Sequence, residues 1–147
     1  MSAVSEIMSP KEVVAIKSAL NPTALDVANL MLRKKIGSIV IVNEREQPTG
    51  IITERDFIRK ASFSDKGIEK IAAKHIMSQP VITIKAYDSI ETAAAVMAKN
   101  KIKRLVVLED DGSLAGVVSV TDIARKLAKI LSNEYSRYSR FQALFGQ

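Results

Sequence analysis

Two short stretches carry the residue types that could hold a ligand: Gly50-Ile51-Ile52-Thr53-Glu54-Arg55-Asp56 and, 66 residues later, Gly116-Val117-Val118-Ser119-Val120-Thr121-Asp122. Each runs glycine, two apolar residues, a hydroxyl residue, two variable residues and aspartate, and an apolar residue follows, Phe57 or Ile123. A strand ending at the hydroxyl residue and a helix starting just after it would present unpaired N–H groups and a partial positive charge, which suit a phosphate. Asp56 and Asp122, one turn into the helix, are placed to accept hydrogen bonds from the vicinal hydroxyls of a ribose. Gly50 and Gly116 admit the close approach of another backbone or a flat ring. The same residues have a simpler use. Thr53 with Asp56, and Ser119 with Asp122, also form capping boxes, which satisfy orphan N–H groups and need no ligand. Capping leaves the paired glycines unexplained, so both readings stand at this point.

No catalytic constellation accompanies these stretches. The chain has no cysteine, and it lacks a Gly-x-Ser-x-Gly elbow, a Gly-x-x-x-x-Gly-Lys-Ser/Thr phosphate loop and a Gly-x-Gly-x-x-Gly dinucleotide turn. The two aspartates belong to equivalent, separate places and do not make an acid–base pair. His75 has no acidic or histidine partner at ligand spacing, so neither an enzyme nor a metal site is expected.

The elements that must position Asp56 and Asp122 also come twice. Ile7-Met8-Ser9 recurs as Ile76-Met77-Ser78, each followed by a β-rich run, Val13 to Lys17 and Val81 to Lys85. Helices are predicted from Thr23 to Lys34 and from Ser89 to Lys99, with apolar residues three and four apart. Their small residues Ala28, Ala93, Ala94, Ala95 and Ala98 are expected at the packing seam between the halves. Ser38 to Val42 and Arg104 to Leu108 then read as strands, with turn-rich connections leading to the Gly-led stretches. The order is strand, helix, strand, strand, helix, twice.

Those motifs resemble a tandem pair of CBS domains, the Bateman module, in its stand-alone two-domain form. The resemblance covers residues 4–61 and 72–128, with 62–71 as linker and 129–147 as a basic, aromatic and helical tail. It implies an α/β (α+β) fold of two β-α-β-β-α repeats, packed with pseudo-two-fold symmetry as one unit. It also implies a regulatory module that binds an adenosine nucleotide, AMP, ADP or ATP, in the cleft between the repeats. The implied nucleotide-binding residues are Gly50, Thr53, Asp56, Gly116, Ser119 and Asp122, with Ile16 and Thr83 on the opening strands and the cations Lys103 and Arg104. Repeat one has Gly37 and Ser38 where repeat two has that basic pair, so the site of Ser119, Asp122 and Arg104 is expected to bind a phosphorylated adenosine more tightly. A homodimer, and a regulated enzyme or transporter as partner, are expected with it.

At 147 residues, 47% apolar and 26% charged, the chain has an ordinary globular composition. The lack of cysteine and of a leading signal segment points to the cytoplasm, and no apolar run approaches the ~18 residues that span a membrane, so no membrane partner is expected. The net charge is +6. Most of it lies in residues 124–147, where Arg125, Lys126, Lys129, Arg137 and Arg140 face Glu134 alone. Tyr135, Tyr138, Phe141 and Phe145 would form one aromatic stripe on a helical tail, with dimer contact as its expected use. The alternative is a dimerising scaffold whose basic tail binds nucleic acid or a partner protein.

Overall fold

The structure, a computed structural model, describes residues 2–145. In repeat one, β1 (Ser9–Pro10), the helical turn α1 (Lys11–Val14), β2 (Ala15–Lys17), α2 (Ala24–Lys34), β3 (Ser38–Val42), β4 (Pro48–Thr53) and α3 (Glu54–Asp56) follow in order. A π-helical turn, Phe57–Ala61, extends α3. Repeat two supplies β5 (Thr83–Lys85), α4 (Ile90–Asn100), β6 (Arg104–Leu108), β7 (Leu114–Ser119) and α5 (Val120–Phe145). The predicted helices start where their caps say. Thr23 Oγ1 accepts the Asp26 N–H at 3.1 Å, and Ser89 Oγ accepts the Thr92 N–H at 3.1 Å. Both end on a lysine in the left-handed region, Lys35 (φ 55°) and Lys101 (φ 54°).

Two sheets result, β2-β3-β4 and β1-β7-β6-β5. In each, the opening strand is parallel to the middle one and the returning strand antiparallel, with Ser38 opposite Thr53 and Arg104 opposite Ser119. The turns differ locally. At the β6–β7 turn, Gly112 takes φ +85°. There Asp111 Oδ1 accepts the Ser113 hydroxyl at 2.6 Å and its N–H at 2.9 Å, which holds the Asp111 carboxyl below the usual range. In the β3–β4 turn Glu46 takes the positive φ, 59°, instead of a glycine.

The repeats are joined by a reciprocal exchange of their leading segments. Val4 N–H donates to Asp88 O at 2.8 Å and Ile90 N–H to Ser2 O at 3.2 Å, so the first leader lies on repeat two. The second leader repeats the pattern on repeat one, with Ala73 N–H on Pro22 O at 2.8 Å and Ala24 N–H on Ile71 O at 2.8 Å. Farther along, Ser9 pairs with Val117, and Ser78 pairs with Ile51. The glycines now have a reason. A Cβ on Gly116 would collide with the Ser9 carbonyl and Met8 sulfur, and one on Gly50 with the Met77 side chain. It is another segment of the chain, not a ring, that fills the space.

Val4 accordingly belongs to the core of repeat two, beside Ile90, Met97, Leu105 and Val118. Ala73 and Ile76 complete the core of repeat one, beside Val27, Ile39 and Ile52. The seam between the halves is not made by the helices. Ala94, Ala95 and Ala98 are exposed and Ala93 packs in the core of repeat two, and the joint is instead an apolar cluster of Val14 from α1 with Val40, Val42, Val106, Leu114 and Val117 from the strands. Sheets packed face to face bury a whole inner face, whereas a helix offers one stripe, already spent here on its own sheet. The same cluster corrects the strand expected from Val13: Val14 is buried from within a helical turn, and only Ala15 to Lys17 pair with β3. Packing overrides the β-preference of the valines. α5 continues unbroken for 26 residues, and from Lys129 to Phe145 every residue is exposed.

Candidate functional site

The capping role of the two Gly-led stretches is realised in both copies. Asp56 Oδ2 accepts the Thr53 N–H at 2.8 Å and the Thr53 hydroxyl at 3.3 Å. Asp122 Oδ2 accepts the Ser119 N–H at 2.8 Å, and Ser119 Oγ accepts the Asp122 N–H at 3.1 Å. Capping thus uses one carboxylate oxygen of each aspartate and leaves the other. On Asp56 that second oxygen accepts the Ser78 hydroxyl at 2.7 Å and lies 3.4 Å from Lys60 Nζ. On Asp122 it has Arg125 at 3.6 Å, from a side chain three-quarters exposed.

A cavity of about 640 Å3 opens beside Asp56. Repeat one contributes Ile51, Thr53 to Asp56, Arg59 and Lys60, the second leader contributes Ser78 and Pro80 to Ile82, and repeat two contributes Lys101 to Arg104 and Val106. Its walls are therefore mixed. Ile51, Val81, Ile82, Ile102 and Val106 make an apolar side, while Arg55, Arg59, Lys60, Lys101, Lys103 and Arg104 set six cations against Glu54 and Asp56. Cations gathered in a cleft with low-dielectric walls raise the local concentration of anions.

The basic pair does not stand with its own repeat's aspartate. Arg104 faces Ser119 across the β6–β7 pairing, yet its guanidinium crosses to repeat one, where a Cβ on Gly37 would overlap it and stand 3.1 Å from the Glu54 carboxylate. Gly37 is thus the clearance for Arg104. Lys103 and Arg104 line one cavity with Thr53 and Asp56, not with Ser119 and Asp122. At the positions equivalent to Arg55, Lys103 and Arg104, 66 residues away, the chain has Thr121, Gly37 and Ser38. Lys103 O also accepts the Val120 N–H at 2.9 Å, which occupies the start of α5.

Four further residues read from the sequence lie outside this cavity. Gly50 and Gly116 make room for the leaders, Ile16 packs half-buried against the core of repeat one, and Thr83 is exposed on β5 opposite Val106. Val81 and Ile82, two and one residues earlier, take the place beside the cleft that Thr83 was expected to hold. The polar cavity residues that sequence reasoning passed over are Glu54, Arg55, Arg59, Lys60, Ser78 and Lys101. Arg59 follows Arg55, and Lys60 follows Asp56, by one helical turn, which was the available signal.

The sequence pattern of the CBS domain matches residues 4–62 and 73–129. An uncharacterised protein of Methanopyrus kandleri is 38% identical over 120 residues, spanning 82% of this chain and 61% of that protein. A 17.7 kDa protein of Acidianus ambivalens is 30% identical over 134 residues, 91% of this chain and 78% of its own. The chain thus spans less than two thirds of the first of these and more than two thirds of the second. Among solved structures, the CBS domain pair of protein MJ0100, crystallised with 5′-methylthioadenosine and S-adenosyl-L-methionine, is 27% identical with a TM-score of 0.71. That match covers 86% of this chain and 99% of the other.

Proposed function

Since the chain belongs to the CBS domain family as a tandem pair, we propose that it is a regulatory module whose cleft binds an adenosine nucleotide of the AMP, ADP or ATP class. The observation that carries this reading is the composition of the cavity at Thr53 and Asp56. Its apolar side suits a flat base, and Lys103 and Arg104, brought from the other repeat, face the helix start where a phosphate is favoured. The bound adenosyl compounds of the MJ0100 pair support the base and sugar part of this assignment. The phosphate part rests on this chain's own cations.

Charge-assisted hydrogen bonds to phosphate contribute about 1.5–3 kcal/mol each, reduced where the cleft is open to solvent. The cavity with Thr53 and Asp56 therefore binds phosphorylated adenosine about ten-fold or more tightly than the equivalent place at Ser119 and Asp122, the reverse of the order read from the sequence. Signalling requires that the nucleotide favour one of two docking states, since equal affinity for both shifts neither. A homodimer is part of the proposal: the exposed Ala94 and Ala98 beside Val120 offer a flat helical face for two-fold pairing.

Calorimetric titration of adenosine, AMP, ADP, ATP and S-adenosyl-L-methionine tests the reading. Arg104→Ala and Lys103→Ala should each weaken AMP about ten-fold while leaving adenosine within a factor of about two. Equal losses for adenosine and AMP would overturn the phosphate assignment, and no heat with any of the five would overturn the function. Light scattering that gave the monomer mass would remove the dimer alone.

A further inference from the structure

The part of the molecule that the cleft does not use is the projecting half of α5. At about 100° per residue, Leu127, Ile130, Leu131, Tyr138, Phe141 and Phe145 fall within an arc of about 100°. All six are exposed, from 38% at Ile130 to 73% at Phe145, and the Phe141 and Phe145 rings lie 5.1 Å apart. The five cations of this stretch, Arg125, Lys126, Lys129, Arg137 and Arg140, fall in an arc of about 120° on the other side. Glu134 is the one charge within the apolar arc, and Arg137 Nη1 donates to it at 3.2 Å.

An apolar stripe with aromatic rings, a basic opposite face and low mean hydropathy is what holds a helix flat in a bilayer interface, its apolar side among the acyl chains and its cations at the headgroups. Other occupants match half of this pattern. A second copy of α5 would cover the stripe but supply no acidic surface to the cations, which would face outward on both copies. Nucleic acid would meet the cations but leave the stripe in water. An anionic lipid surface satisfies both faces at once, and the helix neither has nor needs the length of apolar chain that would cross the membrane. From this pairing of charge with exposed apolar surface, we infer that residues 124–145 dock the protein on an anionic lipid surface, with the helix lying in the plane of the interface.

The test uses the full chain in co-sedimentation with phosphatidylcholine vesicles, with and without about a third phosphatidylglycerol. Binding at least ten-fold stronger to the anionic vesicles is expected. The double variant Phe141→Ser and Phe145→Ser should lose at least ten-fold of it at unchanged net charge, and Lys126→Glu with Arg140→Glu should lose as much. Both pairs lie far from the cleft, so unchanged AMP titration, or unchanged circular dichroism if AMP does not bind, certifies the fold. No binding to either vesicle overturns the inference. So does equal binding to both, or binding to duplex DNA that survives the Phe141→Ser and Phe145→Ser changes while vesicle binding is absent. A wild-type dimer that those same changes convert to monomer, with no vesicle binding, assigns the stripe to a second copy instead.

Discussion

Replacing Gly116 by alanine should separate the leader of repeat one from repeat two, and its cost can be worked from the contacts around it. The new Cβ would meet the Ser9 carbonyl oxygen and carbon, which are backbone and cannot swing aside, and the Met8 sulfur. Keeping the leader in place means an overpacked contact of about 1–3 kcal/mol. Releasing it instead breaks the pairings of Ser9 with Val117 and Pro10 with Gly116, and draws out Val4, which is fully buried. Exposing a valine of that kind costs about 1.5–3 kcal/mol before the lost hydrogen bonds are counted. The cheaper route sets the cost, and with unyielding backbone as the neighbour Gly116→Ala should destabilise by about 2–3 kcal/mol. Gly50→Ala is the internal control, because its neighbour is only the Met77 side chain, and a thioether can find another rotamer at about 1–2 kcal/mol. Urea unfolding of the two variants measures both, and a lowered m-value in Gly116→Ala would report the detached leader. Equal costs, or a larger cost at Gly50, would refute the assignment of the two glycines to backbone and side-chain clearance.

Ser78→Ala removes the hydroxyl that donates to Asp56 at 2.7 Å and should cost about 1–2 kcal/mol of stability in urea unfolding, because it leaves a buried carboxylate oxygen short of a partner. Gly37→Ala meets the far end of a flexible side chain, so stability should fall by less than about 1 kcal/mol while AMP affinity in calorimetry falls as Arg104 is pushed from its path. Lys35→Gly relieves a non-glycine residue at φ 55° and should raise stability by about 0.5–1 kcal/mol, seen as a higher melting temperature. Glu46→Gly, at φ 59°, should gain less than Lys35→Gly, because it also removes the Lys11 ion pair at 3.4 Å.

Residue order and periodicity revealed the repeats, the helix starts at Thr23 and Ser89, and the caps at Asp56 and Asp122, because each depends on neighbours within a turn or two. What they hid was contact across the two-fold relation. Gly37 and Ser38 look like a missing phosphate site when compared only with Lys103 and Arg104. In the fold, the small residue on one repeat and the long cation on the other form a single arrangement. The alanines of α4 resemble a packing seam by composition, yet the strand valines, whose alternate faces no local pattern labels inner or outer, make the joint. Likewise nothing in Val13-Val14 announces that Val14 will be buried from a helical turn.

The exchanged leaders also bear on how a chain of this kind assembles. A single repeat has a vacant slot along its returning strand and a leader with no slot of its own, so two separate repeats would complete one another only by mass action. The linker from Ser62 to Lys70 makes that encounter intramolecular, at an effective concentration on the order of millimolar. Cutting within the linker should therefore leave halves that recombine at high concentration and come apart on dilution, with the ligand cleft appearing and vanishing along with the pair.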